Sequence, residues 1–233
     1  MTKHYSEAED YYRKALIIFT QLNDRSSEAN CLAGLGNVYG ASNLTKQAIG
    51  FYRESAHVSK NIGDKRHECI VRGNLGNALI KLRCYEDARK ELIRAIDCGQ
   101  YFDSEAELWR VWGNLYMLEK AENNSREAWI AWQEAVKKRV SYRLNGGENN
   151  TDAGYLCESF CKTILHEGGH AASRLVAIEL ADETWGNCII LLNKLAKIAL
   201  GERSPKLAED EQLHYEWAAE VLLVLDRLRK AGV

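Results

Sequence analysis

The segment Arg72-Gly73-Asn74-Leu75-Gly76-Asn77-Ala78-Leu79, with Ala88, Leu92 and Ala95 after it, contains two helical stripes in succession. Arg72, Leu75, Gly76 and Leu79 fall at offsets of three, four and seven, one face of an α-helix, and Ala88, Leu92 and Ala95 form a second such face. Working outward, the second stripe recurs at equal intervals, at Ala8, Ala48, Ala88 and Ala128. Four residues beyond each is a large apolar residue (Tyr12, Tyr52, Leu92, Trp132), and three further on a small one (Ala15, Ser55, Ala95, Ala135). A fixed period of this length marks an array of stacked supersecondary units.

The first stripe recurs as Leu32, Leu35, Gly36 and Tyr39, and in the third pair it is matched with Trp109, Trp112, Gly113 and Tyr116. Glycine inside a helix costs up to about 1 kcal/mol relative to alanine, so its return at one register implies close backbone approach between paired helices. On this alignment the third pair has three extra residues in its turn, near Glu122 to Ser125.

The composition agrees with a helical globular protein. The 233 residues are 46% hydrophobic, with 31 basic against 33 acidic side chains, an ordinary soluble balance with ample chain for a core. Proline occurs once, at Pro205, and no segment alternates with a two-residue period between turn signals, so the fold class is all-α. No apolar run approaches the roughly 20 residues of a membrane span, and the N-terminus lacks the apolar core of a signal peptide. Neither a membrane nor export is expected. Seven cysteines without a C-x-x-C pair fit a reducing cytoplasm. The near-neutral charge gives no electrostatic reason to expect nucleic acid. The basic cluster Lys137, Lys138, Arg139 and Arg143 reads as a helix end complementing its dipole.

A bulky residue, then Leu-Gly, then Tyr, then Ala and an aromatic is similar to the tetratricopeptide repeat signature, over about residues 5 to 140. The period exceeds the usual one, and the extra length is placed between pairs, around Asn23–Ser27 and Lys60–Lys65. Lengthened repeats with the wording of Gly73 to Ala78 resemble the arrays of leucine-glycine-asparagine repeat scaffolds and kinesin light chains. The resemblance implies a right-handed tetratricopeptide-type solenoid over residues 1–143, a leading half repeat plus three full repeats. A polar, glycine-rich connector spans 144–154 and a C-terminal helical module 155–233, read as a degenerate repeat plus a cap. Helices are expected over 152–166, 170–183, 184–200 and 205–230, the last opened by Ser204 as cap and Pro205 at its first position. The chain opens on the second helix of a pair, so Tyr11, Tyr12, Leu16, Ile17 and Phe19 lack their usual covering. This edge is expected to meet a parent-chain segment, a partner or a second copy.

The function implied is a protein-interaction scaffold that holds a peptide or partner protein in its concave groove. The residue after each packed glycine projects into that groove: Asn37, Asn77 and, on the alignment above, Asn114. An amide offers donors and an acceptor and can pair with a peptide unit, and in the families resembled the equivalent asparagines contact bound peptides. Asn74 and Arg110 lie on nearby faces, with Asn30, Lys81 and Met117 at the rim. Arg110 would favour an acidic group. The competing role for the amides is to satisfy backbone groups at tight helix contacts. Among the tryptophans, Trp109, Trp112 and Trp132 take core registers. Trp129 stands where Glu9, Ile49 and Arg89 stand, and is left to pack on the following module or to touch a partner.

One rival signal is His166-Glu167-Gly168-Gly169-His170, an H-E-x-x-H sequence. On a helix this spacing puts two histidines on a zinc ion, with Glu167 as general base of a peptidase. The adjacent glycines argue instead for a hairpin turn between helices. A third ligand would have to come from Glu179, Glu183, Glu202 or Glu209. A structural zinc site of Cys157, Cys161, His166 and His170 is disfavoured, because Cys161 and His166 point in different directions on one helix. The primary expectation is therefore a binding protein with neither catalysis nor cofactor. The alternative is a zinc peptidase regulated by its repeats.

Overall fold

The computed structural model describes residues 3–101, 105–148, 151–181, 189–210 and 212–233. Every regular element among them is helical: α1 Lys3–Gln21, α2 Arg25–Ala41, α3 Thr45–Ile62, α4 Lys65–Lys81, α5 Tyr85–Gly99, α6 Glu105–Ala121, α7 Ser125–Leu144, α8 Asp152–Glu167, α9 Gly169–Ala181, α10 Ile189–Ala199 and α11 Tyr215–Lys230, with a 3-10 turn at Pro205–Ala208. Two compact units, residues 1–131 and 132–233, divide within α7.

The first unit is an all-α helical-repeat solenoid whose helices start at an even step. Helices α2 to α7 begin at Arg25, Thr45, Lys65, Tyr85, Glu105 and Ser125. The residues with left-handed backbone keep the same step: Asn23, Asn43, Gly63, Arg83 and Asn123. At each of these the next amide reaches back to the carbonyl five residues earlier, as in Asp24 to Phe19, Leu44 to Tyr39, Asp64 to Ser59, Cys84 to Leu79 and Asn124 to Glu119, at 2.9–3.0 Å. This six-to-one bond satisfies a carbonyl that the helix end would leave orphaned. Asp24 and Asp64 then cap the following helices by accepting from the amides of Ser27 and His67.

The structure departs from two expectations. The extra length of the repeat lies in the helices, 17 residues in α2 and 18 in α3, and not in the connections that precede α2 and α4, which are three and two residues long. The turn at 122–124 has no insertion. The third pair keeps the register of the first two, so Tyr116 stands where Gly36 and Gly76 stand, and Gly113 falls three residues early.

At Gly36 and Gly76 the expected close approach is real. A methyl group on Gly36 would lie 2.5 Å from the ring of Tyr52, and one on Gly76 would lie 2.6 Å from Leu92. Tyr52 and Leu92 stand at the same offset from their glycines, so the large side chain of each second helix fills the notch on its own first helix. Around these contacts Ala48, Leu75, Ala88, Leu92 and Ala95 are all fully buried.

The second unit packs Cys157, Phe160, Cys161 and Ile164 of α8 with Leu191, Leu192, Leu195 and Ile198 of α10 and Ala218, Val221, Leu225 and Leu228 of α11. Trp132 donates its indole N–H to the Leu213 carbonyl at 3.0 Å. Of the basic cluster, half-buried Arg143 pairs with buried Glu220 at 3.1 Å and donates to the Gly147 carbonyl. The helix expected over 205–230 is two elements. Ser204 does cap the turn at Pro205, but Asp210 turns away to accept from Gln212 and pair with Lys194, and His214 caps a new helix at Tyr215. Residues 182–188, where the second and third expected C-terminal helices meet and where Glu183 and Cys188 fall, lie outside the described residues.

Gly76→Ala is expected to lower stability by about 1–3 kcal/mol, because overpacking against immobile Leu92 exceeds the gain in helix propensity. Gly50→Ala, at an exposed helical position with open space around it, is expected to raise stability by about 0.5–1 kcal/mol. Opposite signs in urea melts check the notch.

Candidate functional site

Between α2 and α4, with the start of α3 at one side, lies a cleft of about 220 Å³. Asn37, Asn74, Asn77 and Lys81 line it together with Thr45 and Tyr52. Asn37 and Asn77 follow the notched glycines directly and are solvent-exposed. Tyr52 does double duty. Its ring fills the notch at Gly36, and its hydroxyl donates to Asn37 Oδ1 at 2.8 Å. Burial pushes the Tyr52 phenol up to about 12, so the hydroxyl keeps its proton at ordinary pH. The Asn37 amide is thereby oriented, with its oxygen engaged and its N–H groups directed elsewhere. Leu92 occupies the register of Tyr52 one repeat later and has no hydroxyl to give Asn77. Among the described residues lining the cleft, Lys81 is the one that carries a charge.

Four of the eight residues expected to bind are thus brought together, and four are not. Asn114 is three residues short of the Asn37 and Asn77 register, and it donates to the Gly73 carbonyl at 3.2 Å. It joins α6 to α4, the structural use of an amide. Met117 occupies the register of Asn37 and Asn77 and is half exposed. Asn30 and Arg110 share a register two turns earlier, and the Arg110 guanidinium stacks 5.0 Å from the Trp109 ring centre. None of these four lines the cleft. Thr45 and Tyr52 were missed as lining residues. Tyr52 carried a readable signal, a hydroxyl at the register that Leu92 fills with a purely apolar side chain one repeat later.

The H-E-x-x-H sequence does not form one helical face. α8 ends at Glu167, Gly168 takes φ +85°, and α9 begins at Gly169. The two histidines sit on different helices, outside the core, while Cys157 and Cys161 are buried. Burial pushes both thiols up, away from the thiolate form that metal binding needs. Among the described residues no group of three or more His, Cys, Asp or Glu side chains gathers to hold a metal. The glycines have packing reasons. Gly168 adopts a backbone that side chains disfavour, and a Cβ on Gly169 would collide with the Ala199 carbonyl oxygen.

Buried charge concentrates at the repeat junctions. Arg72, at the register that Leu32 holds in the first pair, is buried between Glu68 at 2.9 Å and Glu91. Arg89 grips both oxygens of buried Glu119 at 2.7 and 2.8 Å and also reaches Glu122. Burial by itself would raise the Glu119 carboxyl, yet the bonds from Arg89 and Asn124 hold it below its ordinary 4.5, and Glu68 is held down in the same way by Arg72 and Lys65. At the N-terminal edge, Tyr11 and Ile18 of α1 are 72% and 53% exposed, whereas Val58 at the register of Ile18 is buried.

Residues 2–60 match the family model of the tetratricopeptide repeat. The chain is also similar in fold to the crystal structure of BtubC (BKLC) from P. vanneervenii, with a TM-score of 0.59 over 86% of this chain and 76% of that one. Identity is 19%, so this likeness is one of fold. No curated protein matches the sequence. Over residues 2–60 the chain is therefore similar to the tetratricopeptide repeat, a repeat that generally mediates protein–protein interaction, and its described elements are all-α. No helix among the described residues is long and apolar enough to cross a membrane.

Gly169→Ala is expected to lower the melting temperature by several degrees, whereas His166→Ala leaves both melting and zinc content unchanged, as read by calorimetry and metal analysis. Because the carboxyls of Glu68 and Glu119 are depressed in the fold, their contribution is complete above about pH 4.5 and is lost as pH falls through the lower folded values. Urea unfolding from pH 7 to 3 is expected to show that decline, with a shallower slope for Glu119→Gln.

Proposed function

We propose that this chain is a protein-interaction module that holds an extended segment of a partner protein in the α2–α4 cleft. The observation that carries the reading is the oriented amide of Asn37 beside Asn74 and Asn77 in one groove. With its oxygen engaged by Tyr52, Asn37 has N–H groups to offer a peptide carbonyl. Asn77 has both an acceptor and donors for the next peptide unit. Such contacts read a backbone and are indifferent to side chains. Lys81 adds a preference for a carboxylate on the incoming segment, in the part first given to Arg110. Amide hydrogen bonds of this kind are each worth about 0.5–1.5 kcal/mol net, so two together suit a reversible complex.

Peptides selected from a displayed random library on the intact chain provide the test. Asn37→Ala/Asn77→Ala is expected to weaken the selected peptides by about 10-fold or more, with helicity and melting nearly unchanged, since both side chains are exposed. Asn114→Ala should do the reverse, lowering the melting temperature and sparing binding. Selected peptides that all bind the double variant as tightly as the unaltered chain would overturn the reading.

A further inference from the structure

The junctions between successive repeats can be laid over one another, because each position recurs at the fixed interval of the repeat. At the first junction Phe51 fills the space between second helices. Its ring lies 5.2 Å from that of Tyr39, and Arg13 rests over it at 5.9 Å while donating to the Tyr39 hydroxyl. At the second, the register of Phe51 holds Glu91, and Arg72 reaches across to it, with charged Arg53 and Lys90 on the rims. At the third, the same register holds Ala131, which is too short to close the gap. Trp112 replaces Arg72, Ile93 replaces Arg53 and Ile130 replaces Lys90.

The space left open is a cleft of about 520 Å³, within the range of functional pockets. Trp112 and Leu115 of α6 form its floor, and Ile93 and Ile130, 47% and 48% exposed, flank its mouth. The repeat itself does not require apolar residues there, since the preceding junction puts arginine and lysine at the same two exposed positions. The polar edge is acidic. Glu119 and Glu127 line the cleft, and Glu122 is bound to Arg89, so one guanidinium stands against three carboxylates.

We infer that this cleft is a second protein-docking site, which takes a basic, apolar segment of a partner protein. One bulky aliphatic or aromatic side chain sits on Trp112 and Leu115 between the two isoleucines, and an adjacent lysine or arginine faces Glu122 and Glu127. The neighbouring junctions supply this chemistry from within, a ring with a guanidinium over it at the first and a guanidinium at the second. The third leaves both to be brought in. Charge complementarity at the rim selects the partner and the desolvated floor holds it. The site shares no residue with the asparagine cleft, so the two readings stand or fall separately.

Random peptides displayed on phage are selected on the intact chain, and their affinities are compared across variants. The expected result is a class that carries a bulky apolar residue next to lysine or arginine. It should lose about 10-fold or more in Ile130→Asp and about 3-fold in Glu127→Lys, and be unmoved by Asn37→Ala/Asn77→Ala. Both cleft substitutions are at exposed positions, and circular-dichroism melts confirm that the variants fold. The inference is overturned if no selected peptide depends on Ile130, or if the dependent class is acidic. It is also overturned if light scattering finds a dimer that Ile130→Asp dissociates, because a second copy would then fill the cleft.

Discussion

The first unit depends on one backbone device repeated at a fixed step. Each first-unit helix whose end is described in full closes on a left-handed residue and a six-to-one hydrogen bond, and the device recurs evenly from Asn23 to Asn123. Helix starts at an even step give the repeats matching registers, so side chains at corresponding positions can be compared directly. Asn and Gly suit the left-handed position, and Arg83 holds it at a cost of about 1 kcal/mol.

On this constant frame, single registers are put to different uses. The register of Tyr52 fills a notch and orients an amide in the first full repeat, whereas Leu92 merely fills the notch in the next. The register of Phe51 closes one junction with an aromatic ring and the next with a carboxylate, and leaves the third open at Ala131. Binding chemistry is therefore placed without disturbing the helices that carry it.

Much of this was legible in the sequence. The period of the alanines gave the pairing, and Gly36 and Gly76 gave the close approach, because a helix tolerates glycine poorly without a packing reason. Gly113 misled for the same reason. As a third glycine near the right place it drew the alignment off register, implied an insertion in the turn that does not exist and promoted Asn114 to the groove. The left-handed residues would have corrected this, but Arg83 hides their period. The break before Tyr215 was illegible because it rests on Asp210 pairing with Lys194, a contact made only in the folded chain. His166 to His170 matched a metal motif because a tight turn needed both Gly168 and Gly169.

The charges buried at the junctions carry a further consequence. Glu9 meets Tyr39 at one junction and Arg89 meets Glu119 at another, while the corresponding residues between them, Ile49 and Leu79, are buried and apolar. Near-identical units invite mis-stacking, in which a helix docks on the wrong copy of its neighbour during folding. A slip of one repeat would set Ile49 against Glu119 and leave a buried carboxylate uncompensated, a penalty of several kcal/mol. The array thus carries its own assembly order, written as a different lock at each seam.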